Sequence, residues 1–236
     1  MTDTIRRDGE SWEHPSVRPI LDIGGAGLAL HALRDTSPAS VREGILWAFL
    51  SLRSPFPGDA SLYWQLPLDA GWATRVFDRL LAVPLEARAA FRRLILHVPA
   101  AVLPFLDDGR SQALRASGVR LASEASDAGP TGTDLLRVLP DYVTVGPALS
   151  GPQQPPTPSP LNETVGQAWE LGAAVIATDV SKPDLLDALR LLGVRFAEGP
   201  LFGPPVRLRC PEDALSLARI AAEKLARASG RTPEGM

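Results

Sequence analysis

Residues 171–205, LGAAVIATDVSKPDLLDALRLLGVRFAEGPLFGPP, contain the pattern that decides the fold. Two short apolar runs, AAVIATDV at 173–180 and GVRFAEG at 193–199, predict buried β-strands. The amphipathic stretch between them, at 182–192, predicts a helix. A strand, a helix and a second strand in this order form a βαβ unit, in which the two strands run parallel.

The same alternation continues through most of the chain. Six further apolar runs predict strands at 17–23, 28–33, 61–66, 93–98, 118–124 and 141–146. Amphipathic segments predict helices at 39–52, 70–82, 100–116 and 161–172, and a last helix at about 211–228. Eight strands with helices between most of them, in a chain of this length, predict an α/β fold of the TIM-type (β/α)8 barrel class.

The connection between the first two strands is the short sequence GGAG at 24–27. It has the length of a hairpin turn and is too short for the crossover that parallel strands need. We therefore expect the first strand to be antiparallel. We expect a single barrel domain at 17–228, preceded by an N-terminal extension at 1–16 and followed by a flexible tail at 229–236.

The composition restricts the cellular setting and the partners. The formal net charge of −3 argues against nucleic acid as the main partner. A single cysteine, Cys210, excludes an internal disulfide framework and fits a reducing compartment. The N-terminus has no apolar signal-peptide core, and no apolar run is long enough to span a membrane. We therefore predict a cytoplasmic protein without a membrane partner.

Functional groups of a TIM barrel lie at the carboxyl ends of its strands. The residues predicted at those ends are His31, Gln65, His97, Glu124, Thr144, Thr178 and Glu198. These seven positions are the candidate functional site.

The sequence resembles the EAL domain, the barrel of bacterial phosphodiesterases that cleave cyclic di-GMP. The resemblance is carried by LRASGVRLASEASDAG at 114–129, by LLRVLPDYVTVGPAL at 135–149 and by the segment at 171–205. The stretch VRPILDIGGAGLALHAL at 17–33 adds to it in the first half. The resemblance implies an EAL-type barrel and a place in bacterial cyclic di-GMP signalling.

The same resemblance implies that the active-site residues of the family are replaced here. The glutamate of the Glu-Ala-Leu signature corresponds to His31. The arginine that holds a ligand phosphate corresponds to Asp35. The asparagine at the third strand end and the glutamate of the next strand correspond to Gln65 and His97.

The remaining active-site positions of the family are altered as well. Its paired aspartates correspond to Glu124 and Ala125, and its catalytic lysine corresponds to Thr144. A further glutamate corresponds to Thr178, and a ligand-contacting glutamine corresponds to Glu198. Two divalent cations that activate water need a cage of hard oxygen ligands. Since most of that cage is missing, the resemblance predicts a degenerate, catalytically inactive domain.

We therefore expect a regulatory or protein-interaction module with an unidentified protein partner and no cofactor. A first alternative is a receptor that binds cyclic di-GMP without cleaving it. In that case Asp35, Glu124 and Glu198 would face the ligand with negative charge, so we do not expect tight binding.

A second alternative is a repurposed single-metal site at His31, His97 and Glu124. Two histidines and a carboxylate suit Zn²⁺ or Fe²⁺ better than Mg²⁺. The hypothesis requires the three side chains to meet at one end of the barrel. We expect the site to be free of metal, with the histidine nitrogens bonded to carbonyls, carboxylates or water.

Overall fold

The computed structural model describes residues 15–24, 29–37, 61–66, 68–125, 139–146 and 160–210, with 45–46, 49 and seven positions between 212 and 223. Most of the expected helices at 39–52 and 211–228, most of the extension at 1–16 and the whole tail lie outside the described residues. The positions described within those two helices are helical.

Eight strands form a closed barrel. They are β1 Ser16–Asp22, β2 Ala29–Asp35, β3 Ser61–Gln65, β4 Leu94–Val98, β5 Arg120–Ala125, β6 Tyr142–Val145, β7 Ala174–Ala177 and β8 Phe196–Ala197. Strands β2 to β8 pair in parallel and in chain order. Strand β1 closes the ring between β8 and β2 and is antiparallel to both. The predicted TIM-type barrel with an antiparallel first strand is confirmed.

Helices cover the outside of the barrel. The described α-helices are α1 Ala70–Leu81, α2 Asp108–Ala116, α3 Pro160–Glu170 and α4 Pro183–Leu191. Short 3-10 helices lie at Leu85–Arg93, Ala100–Phe105 and Pro200–Phe202, and a short strand β9, Val206–Arg207, pairs with β1. None of the helices in the described part of the chain is long and apolar enough to cross a membrane.

The single helix expected at 100–116 is divided into two pieces. A 3-10 helix with Pro104 inside it ends at Phe105. Helix α2 then starts anew, because the Asp107 side chain accepts a hydrogen bond from the backbone nitrogen of Arg110 at 2.7 Å. A proline and a helix-capping aspartate so close together break the run.

The side chains of the strands alternate between the barrel interior and the apolar layer under the helices. The interior of the barrel is filled by Ile20, Ala32, Tyr63, Ile95, Ala122, Tyr142, Ile176 and Phe196. The intervening residues, such as Leu62 and Trp64 on β3, pack outward against the helices. The barrel is therefore solid at its centre, and open positions for function lie at its ends.

A β-bulge at His31 changes the register of β2. Ile20 of β1 faces Ala32, but the next residue, Leu21, faces Leu30, so His31 is an extra residue on β2. Because side chains alternate with a period of two, the extra residue shifts which side chains point inward. Beyond the bulge, Ala32 and Arg34 lie on the inner face of the barrel.

Candidate functional site at the barrel mouth

Polar side chains line the end of the barrel where the parallel strands finish, which we call the barrel mouth. They are Arg34, Gln65, His97, Glu124, Thr144, Thr178 and Glu198. Six of these residues were expected here from the sequence. The seventh, Arg34, takes the place expected for His31.

His31 lies at the opposite end of the barrel, so its predicted grouping with His97 and Glu124 is wrong. The ring centre of His31 lies 3.9 Å from that of Phe196, on which it stacks, and 5.4 Å from that of Tyr142. These two residues begin β8 and β6, whereas His97 and Glu124 are each the second-last residue of their strand. The physical reason is that β2 continues to Asp35 and that Ala32 pairs with Ser61, the first residue of β3, so His31 lies where the parallel strands begin.

Arg34 forms an ion pair in the barrel mouth in which the carboxylate is buried and the guanidinium is partly exposed. Its Nη1 donates a hydrogen bond to Oε1 of Glu198, whose side chain is 2% exposed. Its Nη2 lies 3.5 Å from Oε1 of Gln65. The Cζ atom also lies 5.3 Å from the centre of the Tyr63 ring, within reach of a cation–π interaction. These contacts hold the guanidinium on the inner face of β2, which points to the barrel axis.

Burial and the charge of the partner act in opposite directions on the pKa of each member of the pair. Burial lowers the pKa of Arg34, but Glu198, with smaller contributions from Tyr63 and Asp179, more than offsets this, and the pKa of Arg34 is raised above its ordinary value. Burial raises the pKa of Glu198, and the Arg34 guanidinium opposes that rise. Removing one partner of such a pair leaves an uncompensated buried charge, which is strongly destabilising.

The backbone around Glu198 is fixed by a close approach of two chain segments. The backbone nitrogen of Val180 donates to the carbonyl oxygen of Glu198 at 3.0 Å. Gly199 follows with a φ of +150°, and a Cβ at this position would overlap the backbone of Val180. At the rim of the same loop, Arg18 and Asp179 form a second ion pair at 3.6 Å. This close approach fixes the backbone of Glu198 and so positions its carboxylate next to Arg34.

His97 is buried beside this ion pair and stays uncharged near neutral pH. Burial, and then the positive charge of Arg34, lower the pKa of His97 to about 3. Its ring stacks with that of Tyr63 at 5.6 Å between centres. Both ring nitrogens are buried without a hydrogen-bond partner among the described residues, and so is Nε2 of His31. In the described part of the chain, the carbonyl or carboxylate partners that we expected for these nitrogens are not found.

Three other predicted site residues, Thr144, Thr178 and Glu124, form hydrogen bonds with the main chain. Thr144 Oγ1 donates to the carbonyl oxygen of Ser123 at 3.2 Å, and Thr178 Oγ1 donates to that of Val145 at 3.1 Å. Glu124 is exposed, and its Oε1 accepts from the backbone nitrogen of Ala100 at 3.5 Å. These hydroxyls are already used within the sheet.

Asp35 does not face the barrel mouth, contrary to our expectation. It follows Arg34 on β2 and therefore points to the other face of the sheet. Its side chain is buried, and Oδ1 accepts from the backbone nitrogen of Ser37 at 2.9 Å. The residue that faces the barrel mouth from β2 is positive, not negative.

Sequence and structure comparisons place the fold among known proteins. No protein-family model and no curated protein matches the chain. Several solved structures, however, match the chain in fold. The EAL domain of DcpA from Mycobacterium smegmatis has a TM-score of 0.68 and 13% identity, with 97% of this chain and 100% of that chain covered. An EAL domain protein from Listeria monocytogenes has a TM-score of 0.65 and 14% identity, with coverages of 87% and 91%.

A third similar structure was solved with bound nucleotide and metal. It is the YkuI protein of Bacillus subtilis, which has an EAL domain and is in complex with its substrate cyclic di-GMP and calcium. The TM-score is 0.62 and the identity 15%, with 92% of this chain and 62% of that chain covered. At these identities the similarity establishes an EAL-type fold for this chain.

The residues of the barrel mouth do not fit the two divalent cations that the resemblance implies. Ca²⁺, Mg²⁺ and similar ions need about six oxygen ligands. Of the carboxylates that the structure describes here, Glu198 is paired with Arg34, whose positive charge repels a cation, and Asp179 is paired with Arg18. No group of three or more His, Cys, Asp or Glu side chains able to hold a metal ion occurs among the described residues.

Proposed function

We propose that this protein is a catalytically inactive EAL-type barrel that acts as a regulatory module in bacterial signalling by binding another protein. The observation that carries the proposal is the ion pair between Arg34 and the buried Glu198 carboxylate in the barrel mouth. The Arg34 guanidinium is a permanent cation that repels the divalent ions which hydrolysis of a phosphodiester would need in the barrel mouth. The fold shared with YkuI and other EAL proteins supports the signalling context.

The chemistry of the surrounding side chains supports the absence of catalysis. A guanidinium offers no coordination position at which water could be bound and ionised. A histidine with a pKa of about 3, as at His97, is too weak a base to take a proton from water near neutral pH. Glu198 is neutralised by Arg34, and Thr144 and Thr178 are not basic.

We predict that the purified protein does not hydrolyse cyclic di-GMP. Incubation with Mg²⁺ or Mn²⁺, followed by chromatography, should release no more linear dinucleotide than buffer alone, while an active EAL phosphodiesterase serves as positive control. The variant His31→Glu should be equally inactive, because residue 31 lies at the other end of the barrel. Metal-dependent release of linear dinucleotide that is lost in His97→Ala would contradict the proposal.

We also predict that the protein does not bind cyclic di-GMP tightly. Arg34 and Arg18, which face the barrel mouth, are each paired with a carboxylate, so little positive charge is left for two phosphates. Titration calorimetry should give a dissociation constant weaker than about 1 μM, or roughly −8 kcal/mol. A tighter constant that is weakened in Arg34→Ala would favour the receptor alternative over our proposal.

The partner itself is tested by affinity capture with the purified protein, followed by mass spectrometry. We expect a protein recovered in stoichiometric amount, equally with and without added cyclic di-GMP. Recovery that requires the nucleotide would favour the receptor alternative. The single-metal alternative is not carried forward, because His31 does not lie with His97 and Glu124.

A further inference from the structure

We propose that Glu198, Gln65 and Tyr63 form a binding site for a guanidinium-type cation, and that the protein fills this site with its own Arg34. The barrel mouth would thus hold its cation as a side chain in place of a metal ion. This inference deepens the proposed function, on which it rests for the absence of a working metal centre.

The three contacts of Arg34 match the chemistry of a planar guanidinium. The Glu198 carboxylate accepts from Nη1, and the amide oxygen of Gln65 lies 3.5 Å from Nη2. The face of Tyr63 lies 5.3 Å from Cζ. A carboxylate, a neutral oxygen and an aromatic face are partners that suit guanidinium better than a compact ammonium ion. A divalent cation would find too few oxygens in the described part of this site.

Glu198 depends on that cation. Its side chain is 2% exposed, and its second oxygen, Oε2, is buried without a hydrogen-bond partner among the described residues. The other nearby cation, Arg18, is engaged with Asp179 at 3.6 Å. Loss of the Arg34 guanidinium therefore leaves a buried carboxylate with a free oxygen, in a space of guanidinium size.

The test is chemical rescue of Arg34→Ala, followed by thermal unfolding. We expect the variant to melt roughly 10 °C below the wild type, because the buried Glu198 carboxylate loses its charged partner. Ethylguanidinium at about 10 mM should raise its melting temperature by about 3–5 °C, which corresponds to millimolar binding. The wild type should not respond. Ethylammonium and Mn²⁺ at the same concentration should each give less than half of that rise.

Arg195→Ala is the matched control. Arg195 pairs with Asp22 at 2.9 Å but is 64% exposed, so its loss should lower the melting temperature by less than about 3 °C. This variant should not respond to ethylguanidinium. An equal response of both variants, or a larger rise of Arg34→Ala with Mn²⁺ than with ethylguanidinium, would overturn the proposal.

A double variant keeps the test decisive if Arg34→Ala does not fold. Arg34→Met with Glu198→Met removes both charges and fills the space with apolar groups, so it should fold and melt well above Arg34→Ala. A double variant as impaired as the single one would show that the charge of Glu198 is not the cause, and would refute the inference. Hydrolysis of cyclic di-GMP together with a positive rescue would refute only the proposed function.

Discussion

Gly199→Ala is expected to lower the free energy of unfolding by more than about 4 kcal/mol, an effect large enough to deplete folded protein. The added Cβ would overlap the backbone nitrogen and oxygen of Val180 and come within 2.8 Å of the backbone carbon of Asp179. The φ of +150° is itself unfavourable for alanine.

The surrounding backbone cannot move away from such a clash. Val180 donates to the carbonyl oxygen of Glu198 at 3.0 Å, and Leu201 donates to the carbonyl oxygen of Val180 at 3.0 Å. Glu198 in turn donates to the carbonyl oxygen of Ala177 on β7 at 2.9 Å. Because the obstacle is hydrogen-bonded main chain, relief would require breaking the sheet edge that holds the Glu198 carboxylate in place.

Urea denaturation followed by circular dichroism measures the effect. Gly166→Ala in α3 is the matched control, because nothing lies within 4 Å of its added Cβ. That substitution should stabilise the protein by about 0.5–1 kcal/mol, as expected for alanine in place of glycine inside a helix. A midpoint for Gly199→Ala within experimental error of the wild type would contradict the close approach at Val180.

Acidification from pH 7 to pH 4 is expected to destabilise the protein by several kcal/mol. The two histidines that the structure describes are held in the neutral form. Burial, then Arg34, lower the pKa of His97 to about 3, and burial, then Arg120, lower that of His31 to about 4. In the unfolded chain both titrate near their ordinary value of about 6.5.

Acid lowers the free energy of unfolding because the unfolded chain takes up protons at a higher pH than the folded protein does. Below about pH 6.5 the unfolded chain binds protons at these histidines, whereas the folded protein does so only near pH 3–4. The stability contributed by the neutral histidines is complete above pH 6.5 and decreases as the pH falls, by about 1.4 kcal/mol per pH unit for each. By pH 4 the loss is about 3 kcal/mol for His97 and somewhat less for the partly exposed His31.

Urea midpoints at pH 7, 6, 5 and 4 test this prediction for the wild type and two variants. His97→Leu and His31→Phe each remove one titrating group while keeping an apolar side chain in the barrel. Each variant should lose stability less steeply between pH 6.5 and pH 4 than the wild type, by about 1.4 kcal/mol per pH unit. An unchanged slope in His97→Leu would show that this histidine is not buried in its neutral form.

Local patterns in the chain were enough to predict the architecture. The strands expected at 61–66 and 93–98 are observed at Ser61–Gln65 and Leu94–Val98. The short GGAG turn correctly predicted the antiparallel first strand. Strand positions and hairpin lengths depend on apolar runs and turn length within a few neighbouring residues. The division of 100–116 also has local causes, namely Pro104 inside the 3-10 helix and Asp107 as the cap of α2.

The composition of the barrel mouth was decided by contacts between distant parts of the chain. The apolar run LALHAL at 28–33 predicts a strand that ends just after His31, which would place this histidine at the barrel mouth. In the barrel, β2 continues to Asp35, and the bulge that arises from its pairing with β1 turns Arg34, and not Asp35, to the inner face. Arg34 then meets Glu198, 164 residues later, because β1 closes the ring between β8 and β2. No local sequence pattern predicts the contact between Arg34 and Glu198. It depends on ring closure and on strand register, which exist only in the complete barrel.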